Sequence, residues 1–161
     1  MSYEEICVVS DLHLGGLPGF QIFQCPKELE GLIGMLKERD AKSRVALVVN
    51  GDFVDFLAEK PASYFDPYGA TRKLDRMFTD TKQRGVWNAL RKFVATPNRH
   101  LVVVLGNHDV ELALPSVREH LLNWLSRGKD AARGRIRLAL NGTGWSTRVG
   151  SARVLCVHGN E

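Results

Sequence analysis

Three short apolar runs in this chain each break off into a cluster of acidic, imidazole and amide side chains, and that repeated pairing restricts the fold more than any other feature. Ile6–Val9 runs into Ser10-Asp11-Leu12-His13-Leu14-Gly15-Gly16, Arg44–Asn50 into Gly51-Asp52-Phe53-Val54-Asp55, and His100–Leu105 into Gly106-Asn107-His108-Asp109. Short, continuous, β-branched runs mark strands covered on both faces, as in parallel sheets flanked by helices. Between the first two, Pro26–Asp40 sets Leu29, Leu32, Ile33 and Leu36 at helical spacing, and Pro26 suits a first turn where its missing N–H costs little. A long helical stretch, Thr71–Ala95 with an interruption expected at Gly85, precedes the third strand, and a helix over Pro115–Arg127 follows it. The period then changes. Arg135–Leu140, Trp145–Val149 and Ala152–Val157 read as short strands joined by tight turns, with Asn141-Gly142 a hairpin signal. The last of them ends in His158-Gly159-Asn160-Glu161. This order implies one α/β domain with helices outside its sheets.

Composition narrows the function classes. With 161 residues, 44% hydrophobic and 25% charged, the chain can bury a real core, which excludes a disordered, collagen-like or coiled-coil protein. The 22 Lys and Arg against 18 Asp and Glu leave a net charge of +4, spread along the chain, and that surplus does not by itself indicate nucleic acid. Cys7, Cys25 and Cys156 form an odd set without Cys-x-x-Cys spacing, against a thiolate zinc site or a disulfide framework. No apolar run approaches the ~18 residues of a membrane span, and the N-terminus is acidic where a signal peptide would be basic. A reducing, cytoplasmic setting is therefore expected.

The strand-end clusters carry the chemistry. In open α/β sheets ligands bind at the carboxyl ends of the strands. Here those ends supply Asp11, His13, Asp52, Asp55, Asn107, His108, Asp109 and His158. An isolated Asp or Asn after a strand usually holds a turn, but four such clusters in succession favour ligation. Oxygen and imidazole donors without thiolate suit Mn²⁺, Fe, Zn²⁺ or Ni²⁺. Several carboxylates together raise one another's pKa unless a cation relieves the repulsion. Asp52 is the natural bridge between two ions ~3.5–4 Å apart, the separation of two-metal phosphoester chemistry.

Asp11-x-His13, Gly51-Asp52-x-x-Asp55, Gly106-Asn107-His108-Asp109 and His158-Gly159, in that order and each after an expected strand, resemble the motifs of the calcineurin-like metallophosphoesterases. The resemblance implies a four-layer α/β/β/α sandwich. It also implies that Asp11, His13 and Asp52 hold one divalent ion, and that Asp52, Asn107 and His158 hold the other, with Mn²⁺ the first choice. His108 would face the scissile phosphate as an acid, with Asp55 fixing its other N–H, and a hydroxide bridging the ions would attack phosphorus. The expected substrate is a phosphomonoester or phosphodiester. One family motif, Gly-His-x-His, does not occur among the 161 residues. The chain is accordingly expected to be a metallophosphoesterase domain truncated at its C-terminus. Its second sheet would then be incomplete, with an exposed edge open to self-association.

Two other functions stay open on the sequence. One is a repair-type nuclease of the same family, which the Ser-Asp-x-His-Leu-Gly start also resembles; the other is a non-catalytic binding or scaffold module on this fold. Asp109 and Glu111 are expected to hold loops, and His100 and His120 to be surface or packed histidines. Tyr64, Phe65 and Tyr68 are expected to cover a small apolar cluster of their own, with Arg72 or Lys73 contacting phosphate as the alternative. The apolar stripe around Leu121 and Leu125 is expected to be core.

Overall fold

Val45–Asn50, the second apolar run, is the spine of the molecule. In the computed structural model, which describes residues 2–159, it forms strand β3 and is buried from Val45 to Val49. Two other strands pair with it directly: β2 (Glu5–Val9) on one side and β4 (Arg99–Val104) on the other, and β5 (Ile136–Ala139) adds to β4. All three pairings are parallel, with Ile6, Ala46 and His100 in register.

The period of two divides the sheet's faces. Val45, Leu47, Val49, Leu101 and Val103 join a core built with four helices: α1 (Pro26–Lys37), α2 (Ala70–Thr79), α3 (Arg84–Ala95) and α4 (Pro115–Ser126). A one-turn helix, α5 (Asp130–Arg133), follows α4. Ala46, Val48, Val102 and Val104 instead pack on Tyr3, Trp145 and Cys156 of a second sheet. That sheet orders β1 (Ser2–Tyr3), β6 (Trp145–Val149) and β7 (Ala152–Cys156) as β1-β6-β7. The result is an α/β sandwich, with helices, parallel sheet and second sheet as successive layers among the described residues. The stripe of α4 lies in the core, as its spacing indicates.

Four local expectations are corrected. The first run is not covered on both faces, because β2 is an edge strand and the second sheet reaches Ile6 but leaves Val8 47% exposed. The long helix breaks before Gly85, over residues 80–83, where Asp80 Oδ1 accepts the N–H groups of Lys82 and Gln83. Gly85 lies inside α3, where α1 approaches so closely that a Cβ would sit 1.9 Å from Glu30 Oε1. The Asn141-Gly142 turn closes no hairpin: it carries the chain from one sheet to the other, and the hairpin of this region joins β6 to β7. Trp145 decides that crossing by burying its ring against Tyr3 between the sheets. Finally, Tyr64, Phe65 and Tyr68 form no cluster of their own. All three are exposed, while Lys73 is buried on Asp66 and the Phe56 carbonyl and faces no solvent-borne phosphate.

Candidate metal centre

The three strand-end loops are woven together by backbone hydrogen bonds before any side chain is considered. Asp11 N–H donates to Gly51 O, His13 N–H to Asp52 O, Asp55 N–H to Leu14 O, and Phe56 N–H to His108 O. Asp109 adds a buried strut. Its Oδ1 accepts Gly106 N–H at 2.7 Å and its Oδ2 accepts Phe53 N–H at 2.8 Å, which ties the third loop to the second. Burial pushes the Asp109 carboxyl up to about 7 against the pull of those N–H groups, and the neighbouring Asp52 charge adds to the rise. The expected loop-holding role of Asp109 is what the geometry contains. Glu111 likewise accepts Asp66 N–H.

The weave forces unusual backbone. Asp11 (φ 55°), His13 (φ 46°) and Asp52 (φ 49°) occupy the left-handed region, together with Gly51 (φ 84°). Side chains seldom adopt that region, though Asp and His tolerate it better than most, and such strain concentrates at functional sites.

The side chains then converge. Asp11, Asp52 and His158 bring one ligand atom each within 4.8 Å of one another, and so do His13, Asp55 and His108. Asp52 links the two groups: its Oδ2 lies 3.5 Å from Nε2 of His13 and 3.5 Å from Nε2 of His158. The other nitrogens of those rings are already engaged. His158 Nδ1–H donates to Asn50 O at 3.0 Å, and His13 Nδ1 lies 3.1 Å from Asp55 Oδ2. In a neutral ring this leaves each Nε2 as a lone pair aimed at a carboxylate oxygen. Three acceptors pointed at one place, in a site where Asp52 is 3% exposed, repel unless a cation lies among them. These residues therefore fit a divalent ion.

Around this point the chain supplies further contacts. Asp52 Oδ1 accepts His108 N–H at 2.9 Å. His108 Nδ1 lies 3.2 Å from Asp55 Oδ1 without an aligned hydrogen bond, and its ring stands edge-on to that of His13 at 4.6 Å. Asp55 thus serves two histidines, whereas the sequence pairs it with His108 alone. Asn107 is exposed between Gly106 and His108. The sequence gives no sign of the Asn50 carbonyl, since any residue has one; the shared use of Asp55 has no local signature either. His100 and His120 stand apart from the site, one against the Tyr3 ring and the other on Asp75.

A parallel sheet under helices, a second sheet behind it, and carboxylate and imidazole groups gathered at the strand ends define an α/β sandwich whose strand-end groups could hold a metal ion. The family model for calcineurin-like phosphoesterases matches residues 5–161, and the chain belongs to that family. Comparison with curated proteins and with solved structures returned no match. Among the described residues no helix is long and apolar enough to cross a membrane.

Proposed function

We propose that this protein is a metal-dependent phosphoesterase that hydrolyses a phosphomonoester or phosphodiester at the strand-end cluster. The observation that carries the reading is the pair of imidazole Nε2 atoms turned on Asp52 Oδ2, each ring fixed from behind by Asp55 or the Asn50 carbonyl. Asp11, His13 and Asp52 would hold one ion, and Asp52, Asn107 and His158 the other. Mn²⁺ is the first choice of ion, and Fe, Zn²⁺ and Ni²⁺ suit the same oxygen and nitrogen donors. When bound, the ions would supply a lowered water pKa and charge neutralisation on the phosphate oxygens.

The remaining work belongs to the chain. Asp52 keeps the two ligand groups in fixed relation while its Oδ1 holds the His108 backbone in place. His108, half-buried beside Asp55, can deliver a ring proton to the leaving oxygen, and the neighbouring carboxylate steadies the ring as it does so. A cytoplasmic, reducing setting suits an enzyme of this kind with free cysteines.

Turnover of a chromogenic phosphodiester and a chromogenic monoester with added Mn²⁺ tests the reading. Activity that needs the metal and falls on His108→Ala supports it. Metal binding without turnover of either substrate would assign the chain to a non-catalytic role.

A further inference from the structure

The 22 basic residues look evenly spread in the sequence, but their partners are not. Residues 131–160 contain five arginines, Arg133, Arg135, Arg137, Arg148 and Arg153, and no Asp or Glu. Folding satisfies only some of them. Arg133 pairs with Glu119, and Arg135 donates to the Val94 and Ala95 carbonyls at the end of α3. Arg137, Arg148 and Arg153 are exposed, and none is ion-paired among the described residues.

Their placement concentrates the charge. Arg148 and Arg153 are directly opposite in the antiparallel register of β6 and β7. Like charges facing one another across strands are destabilising, and no carboxylate intervenes. Arg137 lies on β5, the edge strand of the four-stranded sheet among the described residues. Three adjoining depressions follow this edge and cross the hairpin. The first, of about 580 Å³, is lined by Arg118 and Arg137; the second, of about 280 Å³, by Arg135, Arg137 and the rings of Tyr3 and His100; the third, of about 670 Å³, by Arg148 and Arg153. Ser146 lines all three, so they form one strip, and no Asp or Glu lines any of them. Burial first, and then the charges of Arg44 and Arg135, hold the His100 ring below its ordinary pKa.

We propose that this strip binds the phosphate backbone of a nucleic acid. A row of adjoining depressions with a guanidinium in each matches an array of evenly repeated negative charges, and a polyanion is what relieves the Arg148–Arg153 repulsion. None of the strip's lining residues belongs to the candidate metal centre. Binding there holds the molecule on a nucleic acid whatever the site hydrolyses.

The test is fluorescence anisotropy of the whole chain with a labelled 20-base-pair DNA duplex in EDTA, which removes turnover and metal bridging from the readout. Binding is expected at low salt, with log K falling linearly against log salt. Arg137→Ser/Arg148→Ser/Arg153→Ser should weaken it at least about tenfold and flatten the slope by roughly two to three, about one for each phosphate no longer neutralised. The variant should melt no lower than the parent, because the exposed Arg148–Arg153 repulsion is gone. Absence of binding at low salt, a slope unchanged in the triple variant, or equal affinity for polyglutamate of the same charge would overturn the proposal. The last result would assign the strip to acidic proteins instead.

Discussion

Gly51 stands so close to the His158 ring that a Cβ at this position would lie 2.1 Å from its Nδ1. The contact explains how a residue just after β7 reaches a site built by the loops that follow β2, β3 and β4. His158 slides over bare backbone and donates Nδ1–H to the carbonyl of Asn50, the residue just before Gly51. The positive φ of Gly51 makes the position doubly restrictive. Gly51→Ala should therefore turn the ring and its Nε2 away from Asp52. We expect a stability loss of roughly 1–3 kcal/mol from overpacking and about ten- to a hundredfold weaker metal binding. Calorimetric titration with Mn²⁺ checks this; unchanged affinity would show that His158 is not a ligand.

The facing acceptors around Asp52 predict that a cation stabilises the fold. Metal present at about a hundred times its Kd contributes roughly 2.7 kcal/mol, which raises Tm by about 5–10 °C for a chain of this size. Thermal melting in EDTA and again with Mn²⁺ reads the shift. Asp52→Asn should abolish it, because both ligand groups meet at that carboxylate. A Tm that ignores the metal would count against the cluster as a binding site.

His108 and Asp55 separate by their second contacts. Asp55 touches both His13 and His108, while His108 meets the proposed ligands through its backbone N–H on Asp52, its ring edge against His13, and Asp55. His108→Ala should lower turnover by about 10²–10⁴-fold with Mn²⁺ affinity nearly unchanged. Asp55→Asn should lower both, because it also frees His13 to turn. A leaving group of low pKa, which needs no proton, should restore much of the His108→Ala loss.

The strand-end clusters were legible in the sequence because a parallel sheet puts its carboxyl ends together: reading where each apolar run stopped was enough to collect Asp11, Asp52, His108 and His158. Contacts made by backbone were not legible. Nothing in the sequence marks the Asn50 carbonyl as the group that orients His158, or the left-handed turns on which Asp11 and His13 sit at the site. Asn141-Gly142 misled for a related reason, since a turn signal says that the chain reverses without saying which sheet it rejoins. The edge position of β2 was hidden too: a run of apolar residues looks equally buried whether or not a second sheet extends far enough to cover Val8. Charge behaved in the same way. An even spread of arginines along the chain becomes one strip when β5, β6 and β7 are laid side by side.

Asp109 predicts a pH dependence with a definite sign. Its folded pKa, about 7, lies above the ~3.9 of an unfolded Asp, so between those values the folded state holds a proton that the unfolded state has lost. Its contribution is fully present below about pH 4 and is lost as pH rises through about 7. In EDTA, urea denaturation of the wild type should therefore show stability falling over that window more steeply than in Asp109→Asn. The variant keeps an oxygen for one of the two N–H groups of Gly106 and Phe53 and cannot titrate. Parallel curves for the two proteins would mean that the strut is ionised throughout.

Arg99 carries the last prediction, at the end of the sheet away from the metal centre. Its side chain is fully buried, yet among the described residues it forms no ion pair: Nε donates to Lys37 O at 3.0 Å, Nη1 to Ser43 O at 2.8 Å, and Nη2 to the Asp40 and Arg39 carbonyls. These carbonyls lie at the end of α1 and in the turn that follows, Asp40 O being shared with the Ser43 N–H, and one guanidinium fork reaches them together. That arrangement stops the helix at Lys37, three residues before Asp40. Arg99→Met would take the guanidinium from these half-buried carbonyls at a cost of about 2–4 kcal/mol, lowering Tm by about 5–15 °C. Arg99→Lys should recover only part of the loss, because an ammonium cannot span four acceptors in one plane. Mn²⁺ affinity measured at a temperature where each variant is folded should match the wild type. A stability loss below about 1 kcal/mol in Arg99→Met would show that water replaces the fork without penalty.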